Sequence, residues 1–350
     1  MLKSKPQEIV RDPNEKPVID TGIMNRVPFF SVCIPTHNRA SFLPKAIESV
    51  LSQDFTDFEL VICDNASTDN TEEVIRRYYE DDRVRYVRFD NFVNMYANHN
   101  RCIKLTQAEW LIFLHSDDFF HPNILKNCHK ALSEIQDESI AIIAPIGGRK
   151  LSTPKQFSST KKDIQNIDLS LEDGLVELIV SQGGISPSGC CFKRTKKNDF
   201  SFDEWGKTPD VFTADRTLLL ITLANNNKIR LIQDTPLTNY ENPNSSGSLA
   251  YGNANWHIGL SRSMKLIIEH SVWQKKESEV ISLVSELNSD SQLDFLIRVG
   301  QAKKWRVFLS IINSTSLKPL FSFRVLHIII PSIFGMRFYK TSLFFLKKIK

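Results

Sequence analysis

Residues 29–39 read FFSVCIPTHNR, an apolar run that stops in proline, threonine, histidine, asparagine and arginine. A short apolar run closed by turn-forming polar residues is the pattern of a buried strand that ends in a loop. The pattern recurs along the chain: FELVICD from Phe58 leads into Asp64-Asn65-Ala66-Ser67-Thr68-Asp69, and WLIFLH from Trp110 into His115-Ser116-Asp117-Asp118. Amphipathic segments at Phe42–Leu51, Thr71–Tyr79, Met95–Leu105 and Pro122–Ile135 separate these runs from one another and from VRYVRF and IAIIAPI. Strands alternating with helical segments predict βαβ units, hence an α/β, Rossmann-like fold with a mainly parallel sheet flanked by helices. In such a sheet ligands collect beyond the carboxyl ends of the strands, where loops present polar groups without disturbing the core. Three polar strand ends therefore point at one crevice. Asp69 and Glu72 have capping-box spacing, so Ser67, Thr68 and Asp69 read as caps and Asp64 as a ligand.

Outward from this block, residues 1–27 are polar and form a leader wrapped on the surface, and an α/β domain spans 28–245. The polar stretch GGRKLSTPKQFSSTKKDIQN from Gly147 reads as a loop. Beyond it come a strand at SGCCFKR, a helix at Ala214–Ala224 and a strand at KIRLIQ. From about Trp256 the patterns are helical, giving a C-terminal helical extension over 246–350. A composition of 41% hydrophobic and 24% charged residues excludes a disordered chain. The first forty residues lack the apolar core of a signal peptide, which places the protein in the cytoplasm. Six cysteines follow no paired metal-ligand spacing and sit mostly in apolar runs, as reduced, buried, small hydrophobes.

Charge is unevenly distributed. Phe295–Lys350 holds eleven Lys or Arg and no Asp or Glu, leaving 33 basic against 40 acidic residues in the first 294. This tail, with the apolar stretch Val325–Met336 and the ending FYKTSLFFLKKIK, reads either as a surface for anionic lipid, peripheral on the membrane, or as an amphipathic packing element with solvated lysines. No run reaches the roughly 18 apolar residues of a membrane span. Nucleic acid is disfavoured, because the tail's aromatics are embedded among aliphatic residues instead of alternating with basic ones.

Three blocks in order, SVCIPTHNRASFLPKAIESVLSQ, VICDNASTDNTEEVI and NFVNMYANHNRCIKLTQAEWLIFLHSDD, resemble the family 2 inverting glycosyltransferases of GT-A fold. The resemblance covers residues 29–120 and continues more loosely to about 245. It implies a nucleotide-sugar side over 28–120 and an acceptor side over 121–245. It implies that Asp64 contacts the nucleobase, that Pro35, Thr36, Asn38 and Arg39 surround uracil and ribose, and that Asn98 and Asn100 face the nucleotide with Ser116 and Asp117. The donor it implies is a UDP-sugar. The acceptor is a hydroxyl of a glycan or lipid-linked saccharide, in bacterial envelope polysaccharide or lipopolysaccharide assembly. His115 stands where the family usually has Asp.

The chemistry selects residues as well. A nucleoside diphosphate leaving group gains negative charge, which a cation held by carboxylates neutralises. Asp117 and Asp118 supply hard oxygen ligands suited to Mn²⁺ or Mg²⁺. Inversion needs one base to take the acceptor proton. Asp215 resembles the family's catalytic Asp at a helix start; Asp210 is the alternative, and a plain cap at the positive end of the helix dipole is the structural one. Ser186-Pro187-Ser188-Gly189 lies where the family approaches its acceptor, and Trp205 is placed either to stack on a sugar or to pack. A sugar nucleotidyltransferase would want a glycine-rich phosphate loop, which PTHNRAS lacks. A binding protein that keeps only the nucleotide pocket is the non-catalytic alternative.

Overall fold

The structure, a computed structural model, describes residues 16–145, 166–169, 188–194 and 228–232, together with 277, 278, 281, 282 and 306. Its strands are β1 (Ile19–Asp20), β2 (Phe30–Thr36), β3 (Phe58–Asn65), β4 (Val84–Phe89), β5 (Trp110–Phe113), β6 (Ile140–Pro145), β7 (Asn166–Leu169), β8 (Cys191–Lys193) and β9 (Lys228–Ile232). The helices are α1 (Leu43–Leu51), α2 (Thr71–Ile75), α3 (Met95–Leu105) and α4 (Ile124–Ser133), and a 3₁₀ turn, Arg76–Tyr78, prolongs α2. The nine strands among the described residues form one sheet in the order β1-β4-β3-β2-β5-β8-β6-β9-β7. Its core β4-β3-β2-β5 is parallel, as is the β6–β9 pair. Strand β8 runs antiparallel to both β5 and β6, joining the two parallel groups.

The apolar runs became strands because both faces of the parallel core are covered, which leaves all of β3 and nearly all of β2 buried. On one face Phe30, Val32, Ile34, Phe58, Leu60 and Ile62 pack with Leu43, Ile47 and Val50 of α1 and with Ile124, Leu125 and Cys128 of α4. In α1 the buried residues Leu43, Ala46, Ile47 and Val50 recur at helical spacing, and Pro44 sits in the first turn, where its missing N–H costs nothing. On the other face α3 lies against β2 and β3. All six cysteines are free and buried, as the composition predicts.

Three details were not visible in the pattern. Part of the leader pairs with the sheet: β1 lies antiparallel to β4, and Asp20 takes both Arg85 Nε and Nη2, at 2.9 and 2.7 Å. The end of the polar stretch at 147–166 contributes the first residue of β7. The capping box at Asp69 does not form, because Glu72 turns to Arg76 and Arg88. The helix at Ala214–Ala224 and nearly all of the C-terminal extension lie outside the described residues. No helix among the described residues is long and apolar enough to cross a membrane.

Candidate active site

From β2 the chain steps outward to β3 and β4, then returns to the other side of β2 as β5. Neighbouring strands whose connections leave in opposite directions open a crevice beyond their carboxyl ends. The residues at the ends of β2 and β5 are Thr36-His37-Asn38-Arg39 and His115-Ser116-Asp117-Asp118.

On the β2–β3 side two loops are sewn together. Asn38, at φ 52°, accepts Thr68 N–H at 2.7 Å and Asp69 N–H at 3.3 Å on its amide oxygen, while its own N–H donates to Ser67 Oγ at 2.9 Å. The Asp69 carboxylate accepts Ala40 N–H (3.2 Å), Thr71 N–H (3.1 Å) and Thr71 Oγ1–H (2.6 Å). Burial pushes its pKa upward, but the bonds from Thr71 and Ala40 outweigh this and hold it below the ordinary carboxylate value. Ser67, Thr68 and Asp69, expected as caps, are therefore ties between two strand ends, and Asp69 also orders the start of α2.

Asp64 is fully buried, with Oδ1 accepting Ser67 N–H at 2.9 Å and Oδ2 accepting the Tyr86 hydroxyl at 2.6 Å. It supports the loop from beneath. Asn98 is directed at β3, where its amide donates to Cys63 O at 3.1 Å and accepts from Cys63 Sγ at 3.3 Å. It packs α3 on the sheet instead of facing the crevice, because its position shares the sheet-facing side of the helix with Cys102. Asn100, Pro35 and Arg39 are half-buried, and the Arg39 carbonyl accepts the Phe42 and Leu43 amides that begin α1.

The β5 end is built differently. Asp118 N–H closes a turn onto His115 O at 3.0 Å, and the hydroxyl of Ser188, just ahead of β8, accepts His115 N–H at 3.3 Å. Gly189, at φ 87°, donates its N–H to Phe113 O at 2.8 Å, so that β8 delivers Ser188 beneath the turn. Asp118 is 2% exposed, Ser116 is buried and Asp117 is half-buried. Burial raises the Asp118 pKa, His115 and the Ser188 hydroxyl oppose the rise, and Asp117 adds to it. Behind the turn, His99 is fully buried with Nδ1 at 2.7 Å from Met95 O, and burial, aided by His115, lowers its pKa to about 3.

Three buried side-chain polar atoms among the described residues lack a hydrogen-bond partner: Thr36 Oγ1, Asp118 Oδ1 and Arg88 Nε. Such atoms are rare in folded proteins. Two of the three stand on the adjacent strand ends β2 and β5, and a buried carboxylate oxygen beside a second carboxylate is a donor set suited to a hard divalent cation.

Sequence reasoning passed over three contributors. Ser188 was noticed only as part of an acceptor-side segment. His37 and Phe92 form an aromatic pair with ring centroids 4.7 Å apart, and Phe92 is 59% exposed beside the loop of β2. An aromatic inside the polar run DNFVN was the available signal. Tyr86 looked like one more strand residue. Asp215, Asp210, Trp205 and Ser186 lie outside the described residues.

Residues 31–182 match the family described as "Glycosyl transferase family 2". That stretch, under half of the chain, is what resembles glycosyl transferase family 2. Among curated relatives, the chain is 32% identical over 115 residues to chondroitin synthase of Escherichia coli, covering 33% of this chain and 17% of that protein. It is 34% identical over 129 residues to the poly(ribitol-phosphate) beta-N-acetylglucosaminyltransferase TarP of Staphylococcus aureus, covering 36% and 39%. It thus spans well under half the length of these relatives. Among solved structures, S. aureus TarS 1–349 in complex with UDP-GlcNAc superposes with a TM-score of 0.56 at 17% identity, over 79% of this chain and 82% of that one. This likeness shows the fold: the chain has the α/β GT-A architecture.

Proposed function

We propose that the protein is an inverting, metal-dependent glycosyltransferase that moves a monosaccharide from a UDP-sugar to a hydroxyl of a glycan or lipid-linked acceptor in cell-envelope polysaccharide or lipopolysaccharide assembly. The observation that carries this is the pair of unsatisfied buried atoms, Thr36 Oγ1 at the end of β2 and Asp118 Oδ1 in the turn after β5, at the two strand ends that bound the crevice. The bound UDP-GlcNAc named for TarS supports the donor class.

In this reading the crevice takes the nucleotide. Pro35, Thr36, Asn38 and Arg39 line its β2 side, with Asn100 and Ser116 nearby, and the His37–Phe92 pair offers an aromatic face to the base. Asp64, with both oxygens already engaged, serves the base through the loop it orders. Asp117 and Asp118 hold Mn²⁺ or Mg²⁺. Among the described residues no group of three or more His, Cys, Asp or Glu converges on a metal geometry. Magnesium-type ions commonly take only one or two carboxylates and complete their shell with substrate phosphates and water, so the residues present fit. When bound, the ion neutralises charge that develops on the diphosphate. Asp215 takes the proton of the acceptor hydroxyl as that oxygen attacks the anomeric carbon opposite the leaving diphosphate. The basic tail, of which only Arg306 is among the described residues, holds the protein peripherally on the cytoplasmic face of the membrane.

The test is a thermal-shift series with nucleotide sugars, with and without Mn²⁺, followed by transfer assays. Bound UDP-sugar should raise the melting temperature by mass action and more so with the ion. Asp118→Ala should abolish the metal-dependent part, and Asp215→Asn should keep donor binding while losing transfer. An unchanged transfer rate in Asp215→Asn overturns the base assignment. Deletion after Leu317 should release the protein from anionic vesicles.

A further inference from the structure

The turn after β5 carries an imidazole beside Asp118, on the side of Oδ2, while the other carboxylate oxygen, Oδ1, is the one without a partner. His115 Nδ1 stands 3.7 Å from Asp118 Oδ2, with the His115 side chain 32% exposed and that of Asp118 1% exposed. This separation is too long for a hydrogen bond. It suits two donors of one ion, because atoms each roughly 2.1 Å from a shared cation stand about 3 to 4.2 Å apart. The backbone holds both side chains on one turn, through Asp118 N–H to His115 O and His115 N–H to Ser188 Oγ. His99, whose ring centroid is 6.1 Å from that of His115, walls the other side, and its Nδ1 is committed to Met95 O.

We propose that His115 and Asp118 are direct ligands of the cation that accompanies the nucleoside diphosphate, forming a mixed nitrogen and oxygen site that favours Mn²⁺ and Co²⁺ over Mg²⁺. This rests on the reading above, that a divalent cation binds in the crevice with UDP. An imidazole is a borderline donor that transition-metal ions accept readily and Mg²⁺ does not, whereas carboxylate and phosphate oxygens serve all three. Phosphate oxygens and water fill the remaining positions.

Pulsed electron paramagnetic resonance on the full chain loaded with Mn²⁺ and UDP reads the ligands directly. Expected are phosphorus coupling from UDP together with nitrogen coupling that changes isotope pattern when the protein is grown with ¹⁵N-histidine. In His115→Asp and His115→Gln the nitrogen coupling should vanish while the phosphorus coupling stays. The ratio of Mn²⁺ to Mg²⁺ affinity, from competition titrations with UDP present, should fall at least about tenfold in His115→Asp. Phosphorus coupling without nitrogen coupling in the unmodified protein overturns the role of His115 and leaves the metal-dependent reading standing. Nitrogen coupling that survives both substitutions overturns it too, by assigning the nitrogen to another histidine. Absence of any UDP-dependent Mn²⁺ signal overturns the metal-dependent reading itself, and the ligand role with it.

Discussion

Two loops at the same edge of the sheet are built on opposite plans. Where β2 and β3 end, Asn38, Ser67, Thr68 and Asp69 satisfy one another, and Asp64 beneath them has an intramolecular partner on each oxygen. Where β5 ends, Asp118 is equally buried yet keeps an oxygen without a partner, and its neighbour His115 stands too far away to donate to it. Leaving a buried polar atom unpaired costs roughly 1–3 kcal/mol. Apart from Thr36 Oγ1 at its root, the first loop is a rigid frame; the second keeps a carboxylate oxygen unspent, which is the condition for gripping a cation.

The contrast can be broken most severely at Asp118. Asp118→Asn should lower the rate of UDP-sugar turnover by on the order of 10²-fold or more, while raising the melting temperature of the ligand-free protein, because a buried charge without a full set of partners is removed. A fall in ligand-free stability would mean that the β5 loop is a frame like its neighbour. In the saturated loop the sign reverses. Asn38→Gly retains a residue comfortable at φ 52° but removes the ties to Thr68 and Asp69, and chemical denaturation should show a loss of about 1–3 kcal/mol. Ala66, at φ 57°, sharpens the point from the other direction. Its conformation strains an L-residue by roughly 1–2 kcal/mol, so Ala66→Gly should stabilise by up to about 1 kcal/mol in the same measurement.

The smallest effect is expected away from both loops. The bonds from Arg85 hold Asp20 below the ordinary carboxylate value. A depressed carboxyl contributes stability that is present above its unfolded pKa, about 3.9, and is lost as pH falls through the lower folded value. Asp20→Asn should therefore cost up to about 1 kcal/mol at neutral pH. Melts repeated at successively lower pH should show the difference from the parent protein closing; a difference that persists in acid would assign the effect to shape instead of charge.

Much of the fold was legible because burial leaves a period in the sequence. Met95–Leu105 and VRYVRF were bounded correctly since both are amphipathic or apolar along their whole length. Strand β1 was not, since two residues that pair through the backbone leave no hydrophobic signal. At the site, Asp117 and Asp118 could be read from carboxylates abutting an apolar strand. The fate of Asp64, Asp69 and Asn98 could not, because a polar residue at a strand end or on a helix face reads alike whether it meets a ligand or a neighbour. Their partners, Tyr86, Ala40 and Cys63, come from other elements or lie 22 to 35 residues away, so only folding reveals the pairing.

The antiparallel pairing of Ile19–Asp20 with Val87–Arg88 has a practical bearing on handling the protein. Without it, Val84–Phe89 would be the outermost strand on that flank, with a row of open amides and carbonyls for another molecule to dock against. A preparation trimmed past Asp20 should therefore self-associate under concentrations the intact chain tolerates, so the polar leader works as a selvedge that keeps the woven edge from catching.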